Sequence, residues 1–508
     1  MPVFFLYFCV IISGAAVLIL EILGTRLLGP YFGVSLYVWS SLIGVTLAAL
    51  SAGYALGGRW ADHRPTLVRF SSLFIGAGLL TVLMTFVRTP VIKMTAALGL
   101  RAGALAGAFL LMFPALLILG MVSPYAIRLK TRRLDEVGRS AGNLFAVSTL
   151  ASVLAAVLTG FYLIPGLGVH RLLVGTGALL LGTGLAGLAM NRRGRASAAG
   201  LLLLPLLTIA GLYLVPPVEP QPARGLLAVT QSPYGEIRVL DRDGLRYMLI
   251  DGAPHTICDP VTWASEYPYV DVLEIAKEFK REPGRMLLVG LGGGSVAKSF
   301  AQSGWQVDAV EIDPVVVRDA VRWFGLKADE AAVHLADGRR FLEEQPPASY
   351  DLIIMDAFGS SSIPFHLVTR EVFGLIRSRL KPQGMLEMNI EAVGWHHELV
   401  ASLAVTLADV FGQVRVLPIA EPPDQLGNLI LVAADFPLEL DHELAPPTSR
   451  WSREYDLVHA WDNRFGPQPD RGMVLTDDHN PVDVWSDGIN LVSRRDMHRF
   501  FGAGALTW

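Results

Sequence analysis

The sequence predicts a multi-span α-helical membrane domain followed by a doubly wound, Rossmann-like α/β domain with an N-terminal β-hairpin subdomain. Three observations predict it. Hydrophobic residues make up 52% of the 508 and charged residues only 17%, against ~25% charged in an average soluble domain. The apolar excess is confined to residues 1–218, while residues 224–508 have ordinary globular composition. In that second half "LLVGLGGGSVAKSF" (287–300) sets a glycine cluster between an apolar run and a helix-like segment. "AQSGWQVDAVEIDP" follows it, a second apolar run ending in acids, which is how a nucleotide-binding βαβ unit reads.

The division predicts four parts: a helical membrane domain over 1–218, a linker over 219–225, a β-hairpin subdomain with its connecting helix over 226–282, and the α/β domain with a C-terminal extension over 283–508. The proline-rich "VPPVEPQPARG" at the boundary suits a stiff spacer. A net charge of −4 argues against nucleic acid as the main partner. Cys9 and Cys258, the two cysteines, fall one in each half, so neither a disulfide framework nor a CxxC metal cluster is expected.

A membrane-crossing helix needs ~20 mostly apolar residues. Seven stretches qualify, at about 3–24, 36–58, 67–88, 102–127, 140–164, 170–190 and 198–217. The lipid bilayer of the cell (inner) membrane is thus an expected partner, with a multi-pass topology. Cations concentrate in the even loops: Arg59 and Arg64, then Arg128, Lys130, Arg132, Arg133 and Arg139, then Arg192, Arg193 and Arg195. The odd loops are poorer, with Arg26, then Arg88, Lys93 and Arg101, then Arg171. This bias puts the even loops and the N-terminus in the cytosol, and seven spans then put the globular half on the other side. Glu21 near the end of the first span is either a functional intramembrane acid or an interfacial one paired with Arg26. "GYALGGRWADHRP" between spans two and three resembles the cytosolic glycine–acid–arginine loop of major-facilitator transporters.

From residue 226 short alternating segments take over. "GEIRVLDRDGLRYMLIDG" reads as a β-hairpin, with Ile237, Val239, Leu245, Tyr247 and Leu249 alternating and "DRDG" as the turn. "EYPYVDVLEIAKEF" reads as an amphipathic helix. Strands at "RMLLVG", "GWQVDAVEID", "AAVHLAD", "YDLIIMDA" and "GMLEMNI" then alternate with helices at "PVVVRDAVRWF", "GRRFLEEQ" and "REVFGLIRSRL". That alternation predicts a doubly wound sheet, whose ligands bind at the carboxyl ends of the strands. The candidates are therefore the residues at those ends. They are Gly290, Gly292, Gly293, Gly294 and Ser295 after the first strand, and Glu311 and Asp313 after the second. Asp337 and Gly338 follow the third, and Asp356 the fourth. Glycines let a backbone approach a ligand closely, and an acid about 20 residues on accepts ribose hydroxyls. "GLGGGSVAK" does not meet the dinucleotide G-x-G-x-x-G pattern. With Asp337 placed to recognise an adenine amino group, the pattern suits a single nucleoside carrying a sulfonium.

Residues from about 226 to 435 resemble the spermidine/spermine synthases, the polyamine aminopropyltransferases that use decarboxylated S-adenosylmethionine. The matching stretches are "SPYGEIRVL", "LIDG", "LLVGLGGGS", "VEIDP", "ADGRRF", "YDLIIMDAF" and "KPQGML". The N-terminal spans and "TDDHNPVD" (476–483) look like the membrane-fused bacterial branch of that family. The resemblance implies a membrane-bound enzyme that moves an aminopropyl group to a small amine such as putrescine and releases methylthioadenosine. It implies that Glu311 holds the ribose, Asp337 faces the adenine and Asp356 deprotonates or orients the attacking amine. It implies no metal, a hairpin that closes over the ligand, and a homo-oligomer. Because both donor forms are made in the cytosol, the chemistry places the globular domain there, against the charge count.

Departures from the family pattern bear on the amine. Ser295 stands where an aminopropyl-reading Asp is usual, His255 where a Gln is, Gly359 where a second Asp is, Ala264 where a Tyr is, and Gly235 where a Gln is. His255, Tyr234 and Tyr267 are the candidate substrate contacts; His255 is alternatively a proton carrier near neutral pH or a strand-end surface histidine. An S-adenosylmethionine carboxylate is repelled by Asp but tolerated by Ser. Two alternatives therefore stand: another S-adenosylmethionine-dependent transferase (methyl or aminocarboxypropyl), or a transporter or sensor that binds a nucleoside or polyamine. His396, His397 and Glu398 lack the spacing of a zinc helix. Asp477, Asp478 and His479 form either a solvated turn or a polyamine-attracting, site-closing cluster. Trp461, Trp485 and Trp508 are expected to pack a subdomain or meet the membrane surface.

Overall fold

Long apolar runs punctuated by glycine and proline give the first half of the chain its helices. In the computed structural model the described residues are 3–33, 35–63, 65–131, 133, 136–193, 205, 220–222, 225–357, 363–419, 422–449 and 452–501. They form two compact units: residues 1–219 with 231–235 and 503–508, and residues 220–230 with 236–502.

The first unit holds α1 (Val3–Phe32), α2 (Leu36–His63), α3 (Leu67–Ala96), α4 (Leu100–Lys130), α5 (Val137–Leu158), a π-turn at Thr159–Leu163 and α6 (Ile164–Arg193). Among the described residues, five helical runs are long and apolar enough to cross a membrane. The fifth, Val137–Asn191, covers two of the seven expected spans. Gly168 breaks it, because φ 77° and ψ 163° cannot continue a helix. The expected seventh span, 198–217, lies outside the described residues apart from Pro205. Helices pack through small residues. A Cβ on Gly57 would meet the Met121 backbone at 2.6 Å, and one on Gly78 the Gly177 carbonyl at 2.7 Å. Such positions let backbones approach where no hydrophobic driving force separates helix from lipid. The Arg26 guanidinium donates to the Ser232 and Pro233 carbonyls at 3.2 and 2.8 Å.

The second unit opens with a four-stranded antiparallel sheet in the order β1 (Leu226–Gln231), β2 (Glu236–Arg242), β3 (Leu245–Ile250) and β4 (Ala253–Cys258). Arg242 pairs with Leu245, so "DG" is a two-residue turn. Asp243 and Gly244 take φ of 51° and 83° there, as a type I′ hairpin requires. The predicted "EYPYVDVLEIAKEF" helix is two short pieces, Pro268–Val272 and Ile275–Phe279. Between them Leu273 and Glu274 have ψ of −18° and −6°, values that tighten the chain into three-residue turns.

A seven-stranded sheet follows in the order β10-β11-β9-β8-β5-β6-β7. Its strands are β5 (Arg285–Val289), β6 (Gln306–Glu311), β7 (Ala332–Leu335), β8 (Tyr350–Met355), β9 (Leu380–Val393), β10 (Gln413–Pro418) and β11 (Leu426–Ala434). The order from β5 through β7 runs one way and from β8 to β9 the other, so the topological switch falls between β5 and β8. Parallel strands buried on both faces read as continuous apolar runs. Leu287, Val289, Ile353 and Met355 enter the core on one face. Met286, Leu288, Leu352 and Ile354 enter it on the other. β10 and β11, both antiparallel, extend the sheet beyond the five strands the sequence predicts.

Within β9, Glu387 is fully buried, and neither carboxyl oxygen has a hydrogen-bond partner of good geometry. Burial pushes its pKa well above the ordinary value; the Ala276 amide and the Lys277 ammonium oppose this weakly. The folded chain therefore keeps a proton that the unfolded chain releases near pH 4.5. Stability attributable to this group falls as pH rises above that point. Glu387→Gln is expected to raise the apparent melting temperature by roughly 3 °C or more at pH 8, and by clearly less at pH 5. Equal shifts at both pH values would count against a neutral buried acid.

Candidate active site

The site is built where β5 and β8 separate. Asp356 donates its backbone N–H to the Val289 carbonyl at 2.8 Å, continuing the sheet one residue past β8. Gly290 takes φ of 94°, and a Cβ there would collide with the Asp356 carbonyl oxygen. Glycine is required on both counts. The Gly293 amide donates to Thr256 Oγ1 on β4 at 2.7 Å, tying the loop to the smaller sheet. Gly292 lies against the same hydroxyl, and Gly294, at φ of 80°, starts the helix Ser295–Gln302 without a side-chain cap. Ser295 Oγ is buried and has no partner among the described residues.

Glu311 ends β6 and turns back toward the loop. Its Oε2 accepts from the Leu291 amide at 3.1 Å and its Oε1 from the Asp313 amide at 2.9 Å. Burial pushes this carboxyl up, and the two amides oppose the shift. Asp313 itself caps the helix Pro314–Trp323 through the Val315 amide at 2.9 Å, a contact worth about 1 kcal/mol. Asp337 caps Gly338–Glu344 through the Arg340 amide at 3.0 Å, and its other oxygen meets His366 Nε2 at 2.9 Å. Burial pushes Asp337 up, but the Arg340 amide and His366 outweigh it and leave its pKa low. Gly338 packs directly on Val289, with no room for a Cβ.

Asp356 is the centre of the arrangement. Tyr269 donates its hydroxyl to Oδ2 at 3.0 Å, and Asn389 Nδ2 donates to Oδ1 at 2.8 Å. Asn428 in turn holds the Asn389 oxygen at 3.0 Å. Desolvation raises the Asp356 carboxyl to about 6 against these two hydrogen bonds, yet its side chain stays half-buried and reachable. A carboxyl that titrates near 6 can take a proton at neutral pH and return it. Two residues along the same face of β9, burial raises Glu391 to about 7. The Tyr267 ring lies 5.4 Å from that of Tyr269. Its hydroxyl donates to the Pro254 carbonyl at 3.3 Å, and burial, with Glu391 and Asp356 nearby, pushes its pKa upward.

His255 on β4 is pushed down to about 4 by burial and by Arg494. It is therefore a neutral ring at physiological pH, and it does not carry the proton near neutrality that a strand-end histidine would. Tyr234 belongs with residues 231–235 to the first unit; it is exposed, and its amide bonds Ser232 Oγ at 3.1 Å. Gly359 lies outside the described residues.

The structure thus brings Gly290–Gly294, Glu311, Asp356, Tyr267 and His255 around one strand-end region. It adds Thr256, Tyr269, Asn389, Glu391, His366 and Arg494, for which no motif pointed. "YPY" was visible beside the expected acid, but the reach of Tyr269 to Asp356 spans 87 positions. The "TDDH" cluster is a clamp: Arg339 grips both oxygens of Asp477 at 2.7 Å, and Thr369 adds a bond at 2.8 Å. Asn480 holds the Phe365 carbonyl at 2.9 Å, next to His366. His397 accepts from the Leu399 amide at 3.2 Å as a helix cap, and His396 meets Gln468 at 2.8 Å. Trp461 packs edge-on to Phe279 at 5.8 Å, and Trp485 lies partly buried on the core. Trp508 lies outside the described residues.

Comparison with known proteins bears on this geometry. Residues 270–432 match the spermine/spermidine synthase domain. The polyamine aminopropyltransferase of Vibrio vulnificus is 32% identical over 182 residues, 34% of this chain and 58% of that one. The N-terminal histidine N-methyltransferase of Emericella nidulans is 26% identical over 227 residues, 39% of each. A solved structure of a probable spermidine synthase from Corynebacterium glutamicum covers 41% of this chain and 80% of its own, at 24% identity and a TM-score of 0.38. The chain spans about half the length of several of the curated relatives it matches.

Thr256→Val removes the acceptor of the Gly293 amide while keeping the shape of the side chain. The loss of one such bond is expected to lower the stability of the folded chain by about 1–2 kcal/mol, as measured by denaturant unfolding. Unchanged stability would show that the β4 tie does not hold the loop.

Proposed function

We propose that this chain, which belongs to the spermidine synthase family through residues 270–432, is a membrane-bound aminopropyltransferase. It takes decarboxylated S-adenosylmethionine as donor and a small amine such as putrescine as acceptor. The observation that carries the reading is Asp356, held by Tyr269 and Asn389 beside the glycine loop with a carboxyl raised to about 6.

In this reading the loop 290–294 lies along the nucleoside, Glu311 accepts the ribose hydroxyls and Asp337 faces the adenine. The attacking amine must be neutral, because a protonated nitrogen has no lone pair to give. Its nitrogen forms a bond to the carbon attached to the sulfonium. The carbon–sulfur bond breaks, its electron pair stays on sulfur, and methylthioadenosine leaves as a neutral thioether. Asp356 receives the proton lost by the nitrogen. Since the sulfonium is its own activated leaving group, the remaining work is alignment of nitrogen, carbon and sulfur. The five long apolar helical runs of the first unit support a bilayer attachment.

The buried, unpartnered Ser295 hydroxyl supports a second reading, transfer from intact S-adenosylmethionine, whose carboxylate Ser295 accommodates. The two donors, each supplied with putrescine, spermidine or no amine to the purified full-length chain, separate the readings. Methylthioadenosine formed only from the decarboxylated donor with an amine is the expected result. S-adenosylhomocysteine (methyl transfer) or methylthioadenosine (aminocarboxypropyl transfer) from the intact donor would replace the first reading with the second.

Asp356→Asn is expected to lower kcat by at least ~100-fold. With the carboxylate as the active form, the rate of the unaltered enzyme should fall about tenfold per unit below pH 6. That limb should vanish in the Asn variant; full turnover in it would remove Asp356 from its assigned role.

A further inference from the structure

β11 runs antiparallel to β9, with Asn428 opposite Glu391 and Ile430 opposite Asn389. Residues paired this way point to one face, and a side chain two positions along can reach its diagonal neighbour. Asn428 and Asn389 use that reach. Asn428 Nδ2 donates to Asn389 Oδ1 at 3.0 Å, and Asn389 Nδ2 donates to Asp356 Oδ1 at 2.8 Å. Asn389 is only 3% exposed, so water competes little for either bond. Among the described residues, Tyr269 is the other side chain that hydrogen-bonds this carboxyl, at 3.0 Å on Oδ2.

A carboxamide can turn either end to a carboxyl, and the two ends suit different protonation states. Its NH2 suits an ionised carboxylate, which only accepts; its oxygen suits a protonated carboxyl, which donates. Asn389 therefore needs its orientation fixed from behind. Asn428 supplies this, because its NH2 would face a second NH2 if Asn389 turned round. The two amides together oppose the burial that raises Asp356 to about 6. The other titratable or charged groups of the surrounding elements are Glu311 ending β6, His255 on β4, Tyr267 ahead of β5, Glu387 and Glu391 on β9, and Arg494 on the helix Asp487–Phe501. Of these, Glu391, raised to about 7 by burial, titrates closest to Asp356, so the two must be read separately.

We propose that Asn428 is a positioning residue for the transfer: acting through Asn389, it holds the Asp356 carboxyl in its proton-accepting form, with Oδ1 spent on the amide and Oδ2 left to take the proton. This rests on the reading of Asp356 as the proton acceptor.

Difference infrared spectroscopy of the full-length chain reads the Asp356 proton directly. The protonated-carboxyl band that Asp356→Asn removes is followed between pH 4 and 9, which sets it apart from Glu391. Its midpoint is expected at about 6 in the unaltered chain. Asn428→Leu should raise the midpoint by about one unit, because support for the ionised form is lost. Turnover measured in parallel should then be roughly fivefold slower than in the unaltered chain at pH 6, and within about twofold of it at pH 8.5. With Asn389→Ala already in place, adding Asn428→Leu should move the midpoint no further. Should the Leu variant not fold, Asn428→Ser, too short to reach Asn389, carries the same expectation. A midpoint that falls, or rises by less than ~0.3 unit, overturns the proposal, as does the lack of any titrating band assignable to Asp356. So does a shift of equal size in the Asn389→Ala background, which would mean that Asn428 acts through Glu391 or through burial. The infrared titration needs no substrate, so a lack of turnover in the unaltered chain counts against the proposed function alone.

Discussion

The hydrogen bond from the Asp356 amide to the Val289 carbonyl, 2.8 Å, is the contact around which the second unit is organised. It joins the last residue of β5 to the first residue past β8, at the point where the sheet order reverses. For it to form, the next residue after β5 must carry no side chain, because the Asp356 carbonyl occupies that space. Gly290 meets the condition. The same contact sets the glycine loop and the Asp356 carboxyl side by side.

Several groups then depend on neighbours remote in the chain. Thr256 ties the loop to the four-stranded sheet, and Tyr269 and Asn389 orient the Asp356 carboxyl from opposite sides. Desolvation dominates the electrostatics here. It raises Asp356, Glu391 and Glu311 and lowers His255. These acids are pushed toward the protonated form, and a histidine that would titrate near neutrality becomes a neutral ring. Away from this centre, Asp477 and Asn480 hold the segment that presents His366 to Asp337. The C-terminal extension thereby fixes the partner of Asp337.

Most of the α/β fold was legible in the sequence. Strand runs such as "RMLLVG" and "YDLIIMDA" are apolar without alternation because both sheet faces are covered. "DRDG" declares its turn because only Asp, Asn or Gly tolerate two positive φ values in a row. The single helix expected at "EYPYVDVLEIAKEF" was split, since two ψ values near zero are a local adjustment that periodicity does not encode. β10 and β11 went unread because they lie outside the βα alternation. Among the apolar helices, the break at Gly168 is a backbone angle, and a glycine in an apolar run announces nothing about φ.

By itself the sequence determined the order of the parts, the glycine loop, and the acids at the ends of β6, β7 and β8. These are local properties: they follow from periodicity, from glycine's missing Cβ and from which residue ends a strand. What only the tertiary structure decided is how those groups behave. Asp313 and Asp337 both cap helices, but Asp337 also meets His366, and Asp356 is tuned by Tyr269 and Asn389. The Tyr269 hydroxyl meets Asp356 although 87 positions separate them in the chain. Protonation depends on burial and on partners far apart in sequence, and those exist only once the chain has closed around them.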